Sequence, residues 1–314
     1  VGPSDRKAFA EPALWGLVGN TPLIPCPTVR PSDGPTLLLK AEWLNPGGSV
    51  KDRAALCILR DGLARGDLPG KRLLDASSGN TAIAYALLGA AAGIGVTVCV
   101  PGNASAERRA LLAAYGAEVR YTDPLEGSDG AIRAARALAA AQPDRYWYAD
   151  QYNHPANPRA HYLTTGDEIW RQTGGRITHL VAGLGTTGTL MGAGRRLKEW
   201  NPRIELVAVQ PDSPFHGLEG LKHLATAIVP GIYDPAVPDR HEFVSTEEAD
   251  EMVRRLVKEA GLFVGWSTGA ALAAAERLLS ARPPVRPSDV VVVVAPDSGT
   301  RYLSETERLK GVAP

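Results

Sequence analysis

RLLDASSGNTAIAYALLGAAAGIGVTVCV, residues 72–100, decides the fold class. A short apolar run at 72–76 precedes a segment of helical period at 80–92, and a second apolar run follows at 96–100. Two apolar runs joined by a helix are typical of a β-α-β unit, in which the two strands lie parallel. The stretch therefore predicts an α/β fold with a mostly parallel sheet.

The same alternation of apolar runs and helical periods continues along the chain. It predicts further strands at 36–41, 118–121, 146–149, 179–183, 205–210, 262–265 and 290–295. It predicts further helices at 50–64, 106–115, 130–141, 190–199, 247–260 and 270–280. The segment between Gln210 and Glu247 is rich in Pro, Gly and His and is too long for an ordinary connection, which suggests a functional loop.

Composition excludes several classes of protein. The 34 basic and 34 acidic residues cancel, and no Lys/Arg run could follow a phosphate backbone, so nucleic acid is not an expected partner. The three cysteines and six histidines are scattered, which predicts neither a disulfide framework nor a metal site. The N-terminal sequence lacks the apolar core of a signal peptide, and no apolar stretch approaches the ~18 residues of a membrane span. These features predict a cytoplasmic protein, with no membrane partner, that acts on a small molecule.

The first candidate site is NPGGSVKDR, residues 45–53, a turn that leads into a helix. One interpretation is a helix N-cap at Ser49 followed by an ordinary surface lysine. The other places the Lys51 amine beside a helix N terminus, where desolvation and positive surroundings favour the neutral amine that forms an imine with an aldehyde. The local sequence leaves both interpretations open.

The second candidate site is SSGNT, residues 77–81, which follows an apolar run and opens a helix. Its hydroxyl, amide and backbone donors at a positive helix end are suited to an anion such as a carboxylate. A simple N-cap with a tight turn is the alternative, although it accounts for only one of the serines.

The third candidate site is GLGTTGT, residues 183–189, again between an apolar run and a helix. Its backbone and hydroxyl donors are suited to a phosphate. The same letters spell G-x-G-x-x-G, and Asp212 follows at roughly the ~20-residue distance seen in dinucleotide-binding folds, so NAD is an alternative ligand. The three threonines favour a single phosphate monoester.

The fourth candidate site is Ser298, in the turn that follows VVVVVA. A common D-S-G turn is one interpretation. In the other, the hydroxyl faces the pyridine nitrogen of a cofactor, and because a hydroxyl does not hold that nitrogen protonated, elimination and replacement at Cβ are favoured over transamination.

Taken together, these motifs resemble the cysteine synthase and cystathionine β-synthase family of fold type II pyridoxal 5'-phosphate enzymes. GNTPL at 19–23 and DSGTRYLS at 297–304 extend the resemblance over nearly the whole chain, and QYNHPAN at 151–157 and PGIYD at 230–234 are similar to the cysteine synthase B branch. The resemblance implies two open, mostly parallel sheets with flanking helices and an active site between two lobes. It implies a larger cofactor-binding domain (1–40 plus 152–314), a smaller mobile domain (41–151) and a homodimer.

The resemblance also implies a role for individual residues. Lys51 would carry pyridoxal 5'-phosphate as a Schiff base, Asn80 would bind its 3'-oxygen, and Gly265 would line its edge. Ser298 would meet the ring nitrogen. The phosphate would lie on Gly185, Thr186, Thr187, Gly188 and Thr189. The substrate carboxylate would lie on Ser77, Ser78, Asn80, Thr81 and Gln151. The chain departs from the family pattern at Ser77, where threonine is usual, and at Ala82, where glycine is common.

The activity implied is β-replacement, which makes L-cysteine from O-acetyl-L-serine or O-phospho-L-serine with sulfide or a protein-bound sulfur donor. Lys222 is similar in position to an arginine of phosphoserine-using relatives, so it is predicted either to bind substrate phosphate or to be a solvated loop lysine. Other fold type II reactions stay open: serine or threonine dehydration, cystathionine β-synthesis and diaminopropionate synthesis. An NAD-dependent dehydrogenase and a non-catalytic, complex-forming relative are alternatives of a different class.

Overall fold

A computed structural model describes residues 9–29, 34–77, 79–280 and 285–309 of the chain. In this part of the chain, ten strands form a six-stranded and a four-stranded sheet. The strands are β1 (Leu23–Pro25), β2 (Thr36–Ala41), β3 (Arg72–Ala76), β4 (Val96–Pro101), β5 (Glu118–Thr122), β6 (Tyr146–Tyr148), β7 (His179–Gly183), β8 (Glu205–Pro211), β9 (Arg240–Val244) and β10 (Val290–Ala295).

Nine α-helices occur in the same described residues. They are α1 (Lys51–Arg65), α2 (Asn80–Ala92), α3 (Ala106–Ala114), α4 (Gly127–Ala141), α5 (Ala156–Ala160), α6 (Gly166–Gln172), α7 (Gly188–Trp200), α8 (Thr246–Ala260) and α9 (Trp266–Ser280). A π-helical turn, His161–Thr165, joins α5 to α6, and the last described segment, Gly299–Leu309, is 3₁₀-helical. Among these helices, none is long and apolar enough to cross a membrane.

The four-stranded sheet comes from the middle of the chain and has the order β5-β4-β3-β6, with all strands parallel. The β-α-β unit predicted at 72–100 lies at its centre, where Leu73 of β3 pairs with Val96 of β4. Helix α2 joins these strands and is capped at its C terminus by Gly93, whose φ of 67° is the left-handed conformation that glycine adopts without strain. This unit carries residues 77–81 at the carboxyl end of β3.

The six-stranded sheet has the order β1-β2-β10-β7-β8-β9, and only β1 is antiparallel to its neighbour. All six residues of the central strand β10 are buried. Val291 and Val293 pack into the apolar cluster that includes α8 and α9, and Val292 packs into the cluster that includes α7. The sheet is therefore covered on both faces, which is the environment that a continuous apolar run such as VVVVVA predicts.

The predicted α/β class with mostly parallel sheets is confirmed, and four strands coincide with their predicted bounds. The strand predicted at 262–265 is wrong. Val264 forms only an isolated bridge with Ser298, and α9 begins directly afterwards at Trp266. Both edges of β10 are already paired, with β2 and β7, so this apolar run has no place in the centre of the sheet.

The sequence did not predict β1, β9 or the helical segment from α5 to α6. Strand β9 lies at the edge of its sheet, and its sequence RHEFV is mostly polar, so it lacks the apolar run of a buried strand. Helix α5 contains Asn157 and Pro158, a pair that is typical of turns. The long loop predicted between Gln210 and Glu247 consequently includes β9.

Candidate active site

The loops that leave the carboxyl ends of β3, β7 and β10 meet at one cleft. Parallel strands bring their carboxyl ends to the same edge of a sheet, where α/β proteins bind ligands. Two adjoining cavities occupy the cleft. The first reaches Ser77 and Gln151, and the second reaches Thr187 and Pro296. Both are lined by the same six residues: Lys51, Asn80, Gly185, Thr186, Gly220 and Leu221.

Lys51 is the first residue of α1, and its side chain lines both cavities. The backbone N–H of Val50 donates to the carbonyl oxygen of Pro296 at 2.8 Å, which fixes this segment to the end of β10. Burial lowers the pKa of the Lys51 amine below its ordinary value, while the charges of Asp297 and Glu42 act in the opposite direction. The expected desolvation is therefore present. The charged side chains that act on Lys51 are carboxylates, so the expected positive surroundings are limited to the helix end.

The loop after β3 presents Ser77 to the first cavity. Ser77 Oγ accepts the backbone N–H groups of Gly79 and Ala82, both at 3.1 Å, so this hydroxyl satisfies N–H groups at the start of α2. Its own proton stays available for donation to an anion in the cavity. Ser78 lies outside the described residues. Ser77 can therefore cap the helix and donate to an anion at the same time, so the N-cap and anion-site interpretations of this loop do not exclude each other.

Gln151 and Thr81 form a second polar wall of the first cavity. Thr81 Oγ1 donates to Gln151 Oε1 at 2.7 Å, and Gln151 Nε2 donates to the carbonyl oxygen of Ala76 at 2.5 Å. The Asp75 carboxylate accepts the backbone N–H of Ala76 at 2.7 Å and that of Gln151 at 3.2 Å. Burial raises the pKa of Asp75 to about 7. Sequence reasoning missed Asp75, although a carboxylate within the apolar run LLDA was the available signal.

The glycine–threonine loop between β7 and α7 has no room for side chains at two of its glycines. A Cβ on Gly185 would collide with the carbonyl oxygen of Gly220. A Cβ on Gly188 would collide with the side-chain oxygen of Asn157. Thr187 has a φ of 71°, which is rare for a β-branched residue, and strain of this kind clusters at ligand sites. Because the loop precedes the positive N terminus of α7, it is suited to an anion.

Two buried side chains support this loop from the helical segment 156–172. Asn157 Nδ2 donates to the carbonyl oxygen of Gln151 at 2.7 Å and to Thr186 Oγ1 at 3.1 Å. His161 Nε2 lies 3.3 Å from Thr189 Oγ1. Burial lowers the pKa of His161 to about 3, so its ring is neutral near pH 7. The sequence identifies Asn157 only as part of the QYNHPAN motif and does not identify His161. The contacts that give both residues their roles are with residues distant in sequence, which a local pattern does not predict.

Ser298 lines neither cavity. Its Oγ donates to the carbonyl oxygen of Phe263 at 3.3 Å. Ser267, in the first turn of α9, lines the second cavity instead. Gly265 packs against Asp297, since a Cβ there would collide with the carboxylate. The hydroxyl that the structure brings to this end of the cleft therefore comes from GWSTGA rather than from DSG.

Lys222 lines the first cavity and is only 5% exposed. Its ammonium group pairs with Asp129 Oδ1 at 2.7 Å and donates to Ser128 Oγ at 3.0 Å. It also lies 5.2 Å from the centre of the Tyr152 ring. The alternative of a solvated loop lysine is wrong, because the side chain is buried. Contact with a substrate phosphate stays a prediction.

Arg108 of α3 is a second buried cation at the first cavity. It pairs with Glu219 of the long loop, and its guanidinium lies 4.8 Å from the centre of the Tyr302 ring. A Cβ on Gly79 would collide with Arg108, which places this side chain against the loop 77–81. Sequence reasoning missed Arg108. Its position and that of Lys222 favour a negatively charged group in this cavity.

Comparison with known proteins identifies the ligand chemistry. A family model described as "Pyridoxal-phosphate dependent enzyme" matches residues 14–297. The chain belongs to this family. This pyridoxal-phosphate dependent enzyme is 50% identical to "Cysteine synthase" of Aquifex aeolicus, covering 94% of this chain and 91% of the relative. It is 42% identical to "Cysteine synthase B" of Pseudomonas aeruginosa, covering 93% and 96%.

Solved structures of similar fold agree with this assignment. The pyridoxal-phosphate dependent enzyme is similar to O-ureido-L-serine synthase with a TM-score of 0.87 at 36% identity, covering 96% of this chain and 95% of that chain. It is similar to cysteine synthase from Entamoeba histolytica with a TM-score of 0.88 at 31% identity, covering 100% and 94%. The predicted fold type and cofactor are confirmed, and the dinucleotide alternative for the glycine–threonine loop is wrong.

Polar groups around the second cavity fit pyridoxal phosphate. Among the described residues, Thr187 Oγ1 and Asn80 Oδ1 are buried and have no hydrogen-bond partner. Buried polar atoms without partners are uncommon in folded proteins and need an explanation, such as a bound group that completes their bonding. Thr187 belongs to the anion-suited loop, while Asn80, like Lys51, lines both cavities. The chain thus offers an amine for the aldehyde and a separate donor-rich loop for the phosphate.

Proposed function

We propose that this enzyme is a cysteine synthase, which replaces the β-substituent of an O-activated L-serine with sulfur to form L-cysteine. The observation that carries the proposal is the position of Lys51 between two cavities of different character. One cavity is lined by Ser77, Thr81 and Gln151, which suit the carboxylate of an amino acid. The other ends at the donor-rich loop 185–189. Relatives named cysteine synthase at 50% and 42% identity support the same activity.

Lys51 has two roles in this proposal. When bound, pyridoxal phosphate supplies the electron sink for the bond that breaks at Cα of the substrate. Lys51 Nζ holds the cofactor, and after the substrate amine displaces it, the same atom takes the Cα proton as general base. An amine with a lowered pKa is neutral in a larger fraction of molecules near pH 7 than an ordinary lysine, so burial of Lys51 favours the form that accepts a proton.

The polar residues of the first cavity would orient the substrate. We propose that Ser77, Asn80, Thr81 and Gln151 bind its carboxylate, together with Ser78. The bound carboxylate would hold Cα within reach of Lys51 and point Cβ away from it, so that the leaving group departs into the remaining part of the cavity.

The second cavity would hold the cofactor. We propose that its phosphate is held by Gly185, Thr186, Thr187, Gly188 and Thr189. We further propose that Ser267, rather than Ser298, faces the ring nitrogen, since Ser267 lines this cavity. A neutral hydroxyl at the positive N terminus of α9 disfavours protonation of that nitrogen. The ring is then a weaker electron sink, which favours elimination and replacement at Cβ over transamination.

We also propose that residues 41–151 form a smaller domain that closes on the larger domain, 1–40 plus 152–314, when the carboxylate binds. The pairs Lys222–Asp129 and Arg108–Glu219 each join one of these segments to the other at the cavity. Closure would exclude water from the reacting carbon atoms. By resemblance to its family, we propose that the enzyme is a cytoplasmic homodimer.

A visible absorbance spectrum and a Lys51→Ala variant test the proposal. The wild-type protein is expected to show the visible band of a lysine imine, to be labelled at Lys51 after borohydride reduction, and to form L-cysteine from O-acetyl-L-serine or O-phospho-L-serine with sulfide. Lys51→Ala should lose the band and the turnover, whereas Lys198→Ala, which changes an ion pair on the surface, should keep both. Keto acid formation without incorporation of sulfide would indicate a dehydratase, and imine without any turnover would indicate a non-catalytic relative.

A further inference from the structure

Asp297 is a buried carboxylate whose charge acts on Lys51 and which the proposed function does not use. It directly follows Pro296 after β10 and is 1% exposed. Its Oδ2 accepts hydrogen bonds from Asn80 Nδ2 at 2.6 Å and from the Tyr302 hydroxyl at 2.8 Å. Its Oδ1 is buried and has no hydrogen-bond partner among the described residues. No Lys or Arg of the described residues lies within 4.0 Å of this carboxylate, so its negative charge has no close ion pair.

Backbone contacts join the segment that carries Asp297 to the segment that carries Lys51. Ser49, two residues before Lys51, forms an antiparallel bridge with Asp297. On the other side, the N–H of Gly265 donates to the carbonyl oxygen of Asp297 at 3.0 Å, and Gly265 has no side chain because a Cβ would collide with the carboxylate. The carboxylate therefore has little freedom to turn away from the cleft.

Asp297 carries the negative charge that acts most strongly on the Lys51 amine. Of the side chains that act on the Lys51 amine, Asp297 opposes the desolvation most strongly and Glu42 is second. Glu42 is already paired with Arg53, whose Nε lies 2.7 Å from its Oε2. A buried charge needs a compensating charge or hydrogen bonds. Asp297 has two hydrogen bonds, and Lys51 supplies a compensating charge without a direct ion pair.

We propose that Asp297 is the counter-charge of Lys51 and the residue that orients Asn80. It favours a proton on Lys51 Nζ in the imine with the cofactor, and it accepts Asn80 Nδ2–H so that the remaining amide groups face the cleft. This inference rests on the proposed function, because it concerns the imine of Lys51. A protonated imine is the more electrophilic form, so Asp297 prepares Lys51 for displacement by the substrate amine.

Other charged or hydrogen-bonding groups face this pair from neighbouring elements. Glu42 acts on Lys51 from the turn after β2, and Tyr302 acts on Asp297 from the C-terminal 3₁₀ segment. Arg108 of α3 lies over the Tyr302 ring and is paired with Glu219. Substitution of Asp297 leaves all of these groups in place, so a change in the pH at which the imine loses its proton reports on Asp297.

The test is a pH titration of the visible band of the purified holoenzyme, without substrate. Asp297→Asn preserves the size of the side chain and removes its charge. The pH at which the imine loses its proton is expected to fall by about 1 unit or more, the shift typical of losing an opposite charge nearby. Asp289→Asn is the matched control, because Asp289 is also buried but lies at the opposite end of β10. This control should leave the titration unchanged.

A second variant keeps the inference testable if Asp297→Asn does not fold. Tyr302→Phe removes one hydrogen bond from the Asp297 carboxylate. The negative charge then acts more strongly on Lys51, so the imine should lose its proton at a higher pH. The inference is contradicted if the pH at which the imine loses its proton stays the same or rises in Asp297→Asn, or stays the same or falls in Tyr302→Phe. Either result leaves the proposed function intact. A wild-type protein without any visible band would instead overturn the proposed function.

Discussion

Asn157 donates a hydrogen bond to Thr186 Oγ1 at 3.1 Å, and the same side-chain nitrogen donates to the carbonyl oxygen of Gln151 at 2.7 Å. Thr186 belongs to the glycine–threonine loop and lines both cavities, whereas Gln151 lines the first cavity. Asn157 itself is 1% exposed. One buried amide therefore connects the segment proposed to bind the cofactor phosphate with the segment proposed to bind the substrate carboxylate.

Asn157→Ala is expected to weaken both binding functions together. It leaves a buried carbonyl oxygen and a buried hydroxyl without their donor, which costs about 1–3 kcal/mol for each group left unsatisfied. The dissociation constant for pyridoxal phosphate and the KM for the activated serine should both rise by about tenfold or more. Asn153→Ala is a suitable control, because Asn153 lies in the same motif and bonds to Asp150 and Gly231. A variant in which only one of the two quantities changes would contradict the proposed connection.

Gly185→Ala is expected to abolish cofactor binding because the added Cβ collides with the backbone carbonyl of Gly220. Backbone cannot move aside as a flexible side chain can, so the loop must shift as a whole. Cofactor titration followed by absorbance measures the loss. Gly16→Ala is the matched control, since a Cβ at Gly16 meets nothing within 4 Å. Full cofactor affinity in Gly185→Ala would show that the loop does not hold the phosphate.

Patterns of apolar residues were sufficient to predict most of the fold. The run VVVVVA predicts β10 because a strand covered on both faces needs an apolar residue at every position, and 72–100 predicts its β-α-β unit for a similar reason. The run LFVG at 262–265 is also apolar but is not a strand, because a strand forms only where a neighbouring strand has a free edge. Burial can be inferred from composition, whereas strand partners are a property of the whole sheet.

The candidate site was predictable only where a motif supplies its own backbone geometry. Residues 77–81 and 185–189 each lie between a strand and a helix, so their donors must meet at the edge of a sheet. Ser298 and Ser267 could not be distinguished in this way, since the side-chain direction of a hydroxyl depends on contacts distant in sequence. The burial of Lys222 against Asp129 is equally non-local, because 93 residues separate the two.

Asp75→Asn is expected to change the pH dependence of stability. Burial raises the pKa of Asp75 from 3.8 to about 7, so the folded protein binds this proton more tightly than the unfolded chain does. Stability then falls as the pH rises between these two values, and the full cost is present above about pH 7. The asparagine variant loses this dependence, although one of the two N–H groups held by Asp75 loses its acceptor at every pH.

The measurement for Asp75 is the difference in thermal midpoint between variant and wild type at about pH 5 and about pH 8. This difference should be more favourable to Asp75→Asn at the higher pH. The exposed Asp67→Asn serves as a control for the loss of one negative charge. An equal difference at both pH values would show that the Asp75 carboxyl titrates alike in the folded and unfolded chains.

Lys222→Ala is expected to distinguish the two candidate leaving groups. If Lys222 contacts the leaving group, it favours phosphate, because a hydrogen bond to a charged group contributes about 1.5–3 kcal/mol. The variant should then lose about tenfold or more in kcat/KM with O-phospho-L-serine and much less with O-acetyl-L-serine. The ion pair with Asp129 competes for the same ammonium group.

Asp129→Asn therefore provides the complementary test of Lys222. Removing the carboxylate frees the ammonium group for a phosphate, so turnover of O-phospho-L-serine should rise relative to that of O-acetyl-L-serine. The backbone N–H of Ile228, which donates to Asp129 Oδ2 at 2.8 Å, keeps a possible acceptor in the asparagine side chain. Equal effects of Lys222→Ala on both substrates, with no change of preference in Asp129→Asn, would assign Lys222 to the contact between 41–151 and the long loop rather than to the leaving group.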